Sequence, residues 1–102
     1  NEAGLIPVFS GGNSGPNCGT SGSPGDFQDV FGVGATDRDN QLVEFSSRGP
    51  GRRRTEPGFS LQKPDLSAPG KGITSARSIM GMRRDDQYRT SSGTSMAAPH
   101  IS

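Results

Sequence analysis

The sequence is short of the residues that fill a protein interior. It has no Trp, one Tyr and five Phe, and 27% of its 102 residues are hydrophobic. Leu, Ile, Val and Phe together number 17, whereas a self-sufficient domain normally has more. Plain disorder usually combines poor hydrophobicity with high net charge, and here the formal net charge is +1. The composition therefore predicts a folded, loop-rich piece of a larger domain.

Long apolar runs and an excess of one charge are also missing. No stretch approaches the roughly 18 apolar residues of a membrane-spanning helix. The opening residues, Asn1–Gly4, lack the basic start and apolar centre of a signal peptide. Because 11 Lys and Arg face 10 Asp and Glu, a polyanion-driven binder is excluded as the first hypothesis, since nucleic-acid modules usually carry a strongly basic face. We expect neither a membrane nor a nucleic acid as partner.

Cysteine is limited to Cys18, which therefore cannot form a disulfide within the chain. A lone cysteine is most often buried and inert. The alternative is a partner in a segment outside this sequence.

Short apolar segments between Gly- and Pro-rich stretches predict strands joined by loops. Five segments are expected to be strands: Leu5–Phe9, Val30–Ala35, Leu42–Phe45, Asp65–Gly70 and Ile73–Ala76. The remainder is interpreted as loops at Gly11–Gly25 and Arg48–Phe59, a turn at Thr36–Asn40 and a polar excursion at Met82–Tyr88. A helix is expected to begin at about Thr94, where small residues lead into Met96–Ala98. Pro99 is compatible with it, because proline is tolerated in a first turn.

The Arg48–Phe59 loop carries three consecutive arginines, at positions 52–54. Such a run can bind nucleic acid or a membrane, or can be a site of proteolytic processing. No aromatic residues interleave with it and no basic helix surrounds it, so we interpret it as a solvated loop.

Ser95 is the candidate nucleophile. Taken alone, a serine after Gly-Thr is most often a helix cap. Here Gly93 allows a close approach of the backbone to a ligand, and the free N–H groups of a helix start favour an anion. The Ser95 hydroxyl and its own N–H would then lie beside a site suited to a developing oxyanion.

The residues around Ser95 supply no base. Gly93–Ala97 partly matches the Gly-x-Ser-x-Gly elbow of α/β-hydrolases, but no strongly hydrophobic strand precedes it and no histidine follows at a plausible distance. His100 is the only histidine and lies five residues after Ser95, about 140° away around a helix. We therefore interpret His100 as structural.

Several blocks of the sequence resemble the subtilisin-like serine proteases. Gly93–His100 (GTSMAAPH) is similar to their nucleophile signature, a long and specific motif. Four further blocks match in the same order along the chain: Ser10–Gly15, Val33–Asp37, Phe45–Pro50 and Lys63–Gly70. Together they cover nearly the whole chain. The run from Asn13 to Asp26 is most similar to extracellular members, such as bacillopeptidase F-like, oomycete and fungal ones.

This resemblance implies roles for individual residues. Ser95 is the nucleophile, and its backbone N–H and the Asn13 amide hold the oxyanion, whereas the alternative for Asn13 is a simple turn residue. Thr94 assists. The specificity pocket has one wall made of Ser10, Gly11 and Gly12, a floor at 21–23 that includes Gly22, and Ser14 at its rim. Small residues there imply a roomy pocket for a large apolar side chain, without selection by charge at Ser14.

The resemblance also implies what lies outside this sequence. The catalytic Asp and His of the family come before the asparagine that matches Asn13, so they would be supplied by an N-terminal half of the domain. Cys18 would pair with a cysteine in that half, and the Ser23–Pro24 bond would be cis. Calcium is possible in the full-length parent, but no carboxylates here show ligand spacing, so no metal ligand and no certain cofactor are predicted.

We predict that residues 1–102 are the C-terminal portion of a subtilisin-like catalytic domain. Its fold class is α/β, part of a mostly parallel sheet with helices on both faces. The expected function is peptide-bond hydrolysis through an acyl-enzyme on Ser95, with peptides or proteins as substrates, in an extracellular enzyme whose export signal lies upstream. The alternative is a non-catalytic fragment or pseudoprotease that serves as an interaction or structural domain.

Overall fold

The computed structural model describes residues 4–51, 62–77 and 87–102. In chain order the elements are β1 (Val8–Ser10), β2 (Phe31–Thr36), β3 (Leu66–Pro69), β4 (Ile73–Ala76), β5 (Tyr88–Ser91), α1 (Thr94–Ala97) and a 3₁₀ turn, Ala98–His100. No helix in these ranges is long and apolar enough to cross a membrane. The arginines at 52–54 and most of the expected excursion at 82–88 lie outside the described residues.

The first three strands form a parallel sheet with β2 at its centre. Val33 of β2 pairs with Ser10 of β1 on one side and with Leu66 of β3 on the other. This confirms the predicted parallel sheet, while helices on both faces remain a prediction for the parent domain. Because the strands are parallel, their carboxyl ends share one edge, which is where open α/β sheets usually bind ligands.

Small side chains build the core of this sheet. The buried hydrophobic residues are Val33, Ala35, Val43, Ala68 and Ala97, with Val8, Phe45, Leu66 and Ala98 packed against them. Glycines alternate with Val33 and Ala35 in β2, so neighbouring segments approach the strand closely. A Cβ added at Gly34, for example, would lie 2.9 Å from the Ser67 hydroxyl oxygen. Close backbone packing thus explains how a chain with few large apolar residues forms a core.

A buried ion pair fixes the segment that leads into β3. The Lys63 side chain is 1% exposed, and its Nζ lies 2.6 Å from Asp65 Oδ2. Lys63 Nζ also donates to the Val30 carbonyl at 2.9 Å, and Asp65 Oδ2 accepts the Gly32 N–H at 2.7 Å. These contacts connect the start of β2 to the start of β3.

Strands β4 and β5 form a separate antiparallel pair in which Ile73 lies opposite Ser91 and Ala76 lies opposite Tyr88. The sequence predicts β4 with these bounds but assigns Tyr88 to a polar excursion, so it misses β5. The reason is that this ribbon is mostly exposed, and its residues therefore lack the apolar alternation by which a strand is recognised. A cross-strand bond between the Thr74 and Thr90 hydroxyls, 2.8 Å long, contributes to the pairing.

The expected strand at Leu42–Phe45 is wrong. Leu42 forms only an isolated antiparallel bridge with Thr36, and the chain then turns, with the Ser46 N–H donating to the Val43 carbonyl at 3.0 Å. The turn buries Val43 and places the Ser46 hydroxyl 3.0 Å from the Ala35 N–H. The apolar residues of Leu42–Phe45 therefore belong to a tight turn that brings the chain back to the end of β2, and not to a strand.

The first strand is shorter than expected. β1 begins at Val8, while Leu5 and Ile6 are 70% and 72% exposed. Contact with β2 starts only where the Phe31 N–H donates to the Pro7 carbonyl, at 3.0 Å. The residues before Pro7 therefore have no strand beside them in the described part of the chain.

The loop from Gly11 to Gly25 contains no helix or strand, as predicted. Its Ser23–Pro24 peptide bond is cis, also as predicted. Cys18 is exposed, so the interpretation of a buried, inert cysteine is wrong for the described chain. Its pairing with a cysteine elsewhere stays a prediction.

Candidate active site

The two ends of the described chain meet at the carboxyl edge of the sheet. Asn13 follows β1, and Thr94 is the first residue of α1. The Thr94 N–H and hydroxyl both donate to Asn13 Oδ1, at 2.8 and 2.9 Å. The Gly12 N–H in turn donates to Thr94 Oγ1 at 3.1 Å. Three hydrogen bonds therefore join residues that are more than 80 positions apart in the sequence.

These contacts orient the Asn13 amide. Its carbonyl oxygen accepts two hydrogen bonds, so the amide nitrogen, with its two N–H donors, points away from Thr94. A Cβ added at Gly93 would lie 3.5 Å from Asn13 Nδ2, so this nitrogen lies beside the turn that carries Ser95. Asn13 as a residue is exposed.

Ser95 is exposed and occupies the second position of α1. The N-cap of this helix is Gly93, so the interpretation of Ser95 as the cap is wrong. The first N–H groups of a helix have no partner within it, and the Ser95 N–H belongs to that first turn. Its hydroxyl, its N–H and the Asn13 amide thus belong to one small region of the surface.

The end of β3 holds the start of α1 in place. The Gly93 N–H donates to the Gly70 carbonyl at 2.7 Å. A Cβ at Gly70 would come within 2.7 Å of both the Gly93 carbonyl oxygen and the Ala35 side chain. Only glycine allows this approach, so Gly70 positions the turn before Ser95. The sequence shows Gly70 within a family block but does not reveal this contact.

The segments expected to form the specificity pocket lie next to each other. The Gly11 N–H donates to Val33 at 2.8 Å, and the Gly11 carbonyl accepts the Gly22 N–H at 3.0 Å. Gly12 has a φ of 109°, and a Cβ there would lie 2.8 Å from the Ser47 hydroxyl. The expected wall at 10–12 and the expected floor at 21–23 are thus directly bonded.

Ser47 is a functional residue that the sequence alone does not reveal. It is 1% exposed, and its hydroxyl accepts the N–H of the exposed rim residue Ser14 at 2.8 Å. The Ser47 N–H donates to the Gly12 carbonyl at 2.9 Å. Ser47 therefore supports the Gly12–Ser14 segment from behind, and membership of the Phe45–Pro50 block was its only sequence signal.

His100 and Met96 lie on the helical segment after Ser95. His100 Nδ1 is 2.9 Å from the Met96 carbonyl oxygen, so this nitrogen donates to the backbone, since a carbonyl can only accept. That contact fits the structural interpretation of His100. Met96 is partly buried, and its sulfur lies 3.5 Å from the position of a Cβ at Gly93.

Comparisons with known proteins agree with one another. A model of the "Subtilase family" matches residues 1–102. The chain is 39% identical over 113 residues to serine protease AprX of Bacillus subtilis, covering 96% of this chain and 24% of AprX. It is 37% identical over 106 residues to bacillopeptidase F of the same organism, covering 98% and 6%. It is 36% identical over 97 residues to membrane-bound transcription factor site-1 protease of Homo sapiens, covering 95% and 9%.

Solved structures give the same result. The self-cleaved protease domain of PatA superposes with a TM-score of 0.70 at 26% identity, covering 98% of this chain and 31% of that one. The S41 psychrophilic protease superposes with a TM-score of 0.63 at 38% identity, covering 91% and 30%. The chain therefore spans less than a third of either solved relative, and 24% or less of the curated relatives named above.

Proposed function

Because this chain belongs to the subtilase family, we propose that its parent protein is a serine endopeptidase and that Ser95 is the nucleophile. Ser95 Oγ attacks the carbonyl carbon of a peptide bond, and the amine leaves as an acyl-enzyme forms. Water then attacks the acyl-enzyme and releases the second product. A base is needed to take the proton from Ser95 Oγ, and we expect it, with its aspartate, from an N-terminal segment.

The observation that carries this proposal is the bonding of Asn13 to Thr94. With Asn13 Oδ1 held by two donors, Nδ2 is the free end of the amide beside the Ser95 turn. We assign Asn13 Nδ2 and the Ser95 N–H to the oxyanion, because fixed donors aimed at developing charge stabilise the transition state. Thr94 is fully buried, so we assign it to positioning Asn13 rather than to contacting the substrate.

The substrate side chain next to the cleaved bond would lie between the Ser10–Gly12 wall and the floor at 21–23, with Ser14 at the rim. Peptides or proteins are the substrate class. The described residues contain no group of three or more His, Cys, Asp or Glu side chains arranged to hold a metal ion. No step proposed here uses calcium, which stays a prediction for the parent. Extracellular location likewise stays a prediction.

The test uses the parent protein and a fluorogenic peptide, together with a fluorophosphonate probe that labels activated serines covalently. Ser95→Ala should abolish labelling and lower kcat by about 10⁶-fold, the scale expected when a complete triad loses its nucleophile. Ser75→Ala, at an exposed position in β4, is the matched control and should change neither readout.

The isolated 102-residue chain should show no turnover, because it has no base for Ser95. Turnover by the parent that survives Ser95→Ala would refute the assignment of the nucleophile. A parent that hydrolyses no peptide and takes up no probe would instead support the alternative, a pseudoprotease with an interaction or structural role.

A further inference from the structure

We propose that Asp26 makes the specificity pocket select a substrate side chain that ends in a cation, lysine or arginine, on the acyl side of the cleaved bond. This inference rests on the proposed function and concerns the same site. Small pocket residues alone predict a large apolar side chain. The buried carboxylate of Asp26, behind the floor of the pocket, changes that expectation.

Asp26 is a buried carboxylate that the proposed mechanism does not use. The residue is 2% exposed, and the Ser23 hydroxyl donates to its Oδ1 at 2.7 Å. In the described part of the chain, Asp26 forms no ion pair; the pair found there joins Lys63 and Asp65. A buried charge without a counter-charge is costly, so a cation that reached this place would be stabilised.

A closed turn holds Ser23 over the carboxylate. The Asp26 N–H donates to the Gly22 carbonyl at 3.1 Å, and the Phe27 N–H donates to Pro24 at 3.1 Å. The Ser23 proton is committed to Asp26, so the lone pairs of its oxygen remain available. Because Ser23 is exposed, these lone pairs form an acceptor with a negative charge one hydrogen bond behind it.

This acceptor is connected to the proposed catalytic residues by direct bonds. Gly22 precedes Ser23 and donates to Gly11 at 3.0 Å. The next residue along that wall, Gly12, donates to Thr94 Oγ1 at 3.1 Å. The floor is therefore joined by hydrogen bonds, through the wall, to the start of α1.

We assign the two parts of a lysine or arginine side chain to two parts of this pocket. Its methylene stem can lie along the glycine-rich wall while its charged end reaches Ser23, as long basic side chains commonly do. A terminal N–H would donate to Ser23 Oγ, and the field of Asp26 would favour positive charge there. An acidic side chain would be repelled by the same field.

The test measures kcat/KM of the parent protein on two peptides that differ only in this residue, lysine against norleucine, which share the same four-carbon stem. The parent should prefer lysine. Asp26→Asn should lower the lysine-to-norleucine ratio by about tenfold or more, the scale of a hydrogen bond to a charged group. Asp29→Asn, which removes an exposed carboxylate three positions away, should leave the ratio unchanged.

Ser23→Ala provides a second route if Asp26→Asn does not fold, since it removes the acceptor and keeps the carboxylate. It should also lower the ratio. A parent that prefers norleucine, or an unchanged ratio in a folded Asp26→Asn or Ser23→Ala variant, overturns the inference and leaves Ser95-dependent hydrolysis standing. Absence of any Ser95-dependent hydrolysis overturns the inference together with the proposed function.

Discussion

Thr94→Val tests whether the threonine hydroxyl sets the orientation of the Asn13 amide. Valine keeps the branched shape and the backbone N–H that donates to Asn13 Oδ1 at 2.8 Å. It removes the hydroxyl that donates to the same oxygen at 2.9 Å. It also removes the acceptor of the Gly12 N–H, 3.1 Å away.

The magnitude follows from these two losses. Thr94 is fully buried, so the Gly12 N–H would lose its partner in the interior, at a cost of about 1–3 kcal/mol in the free energy of unfolding. Losing an oxyanion donor completely costs about 10²–10³ in kcat. Asn13 keeps one of its two anchors, so we expect kcat to fall by about 10- to 100-fold, with KM changed by no more than about twofold.

The assay is steady-state hydrolysis of a peptide by the parent protein, with urea unfolding of each variant to separate stability from rate. Thr94→Ser keeps the hydroxyl and is the matched control; it should retain most of the parent's kcat. The positioning argument fails if a folded Thr94→Val enzyme has a kcat within about twofold of the parent. It fails equally if Thr94→Ser loses as much as Thr94→Val.

Two further perturbations probe other contacts. Treatment with peroxide should lower the kcat of the parent more than it raises KM, because a sulfoxide at Met96 would crowd the leaving amine, where about 1 Å of displacement can cost about 10²-fold in rate. The Met96→Ala variant should resist inactivation by peroxide. If it is inactivated as fast as the parent, Met96 does not lie beside the leaving amine. Lys63→Ala should lower the free energy of unfolding by about 2 kcal/mol. Breaking a fully buried ion pair costs roughly 3–5 kcal/mol, and we expect less here because the Asp65 side chain is 29% exposed. Urea unfolding measures this, with the exposed Lys71→Ala expected within about 0.5 kcal/mol of the parent.

Strands were predictable where local pattern and burial coincide. β2 is a short apolar run that ends at a polar turn, and it lies in the buried centre of the sheet. β5 carries Tyr88 and Arg89 on an exposed ribbon, and its strand conformation comes from pairing with β4. Such pairing depends on a partner elsewhere in the chain, which local periodicity does not report.

The residues around Ser95 and the resemblance to a family identified Ser95 and Asn13 as candidates, but the contacts that hold Asn13 in place were not predictable. The Asn13–Thr94 bonds join positions 81 apart, so no spacing rule relates them. Ser47 is an ordinary serine in the sequence and becomes a support for Ser14 only through its burial. The burial of Asp26, which is 2% exposed, likewise has no signal in the sequence.

The long-range bonds at Thr94 also determine when this site can form during folding. Closing a loop of 81 residues carries a length-dependent entropic cost of about 4 kcal/mol. α1 has four residues, far fewer than an isolated helix needs in water, so the turn at Ser95 cannot be ordered in advance. Asn13 Nδ2 and the Ser95 hydroxyl therefore come close to each other only when the sheet between them has formed. When the unfolded parent protein is diluted from denaturant, labelling of Ser95 by the fluorophosphonate probe should consequently recover with the slowest folding phase rather than with an early local one.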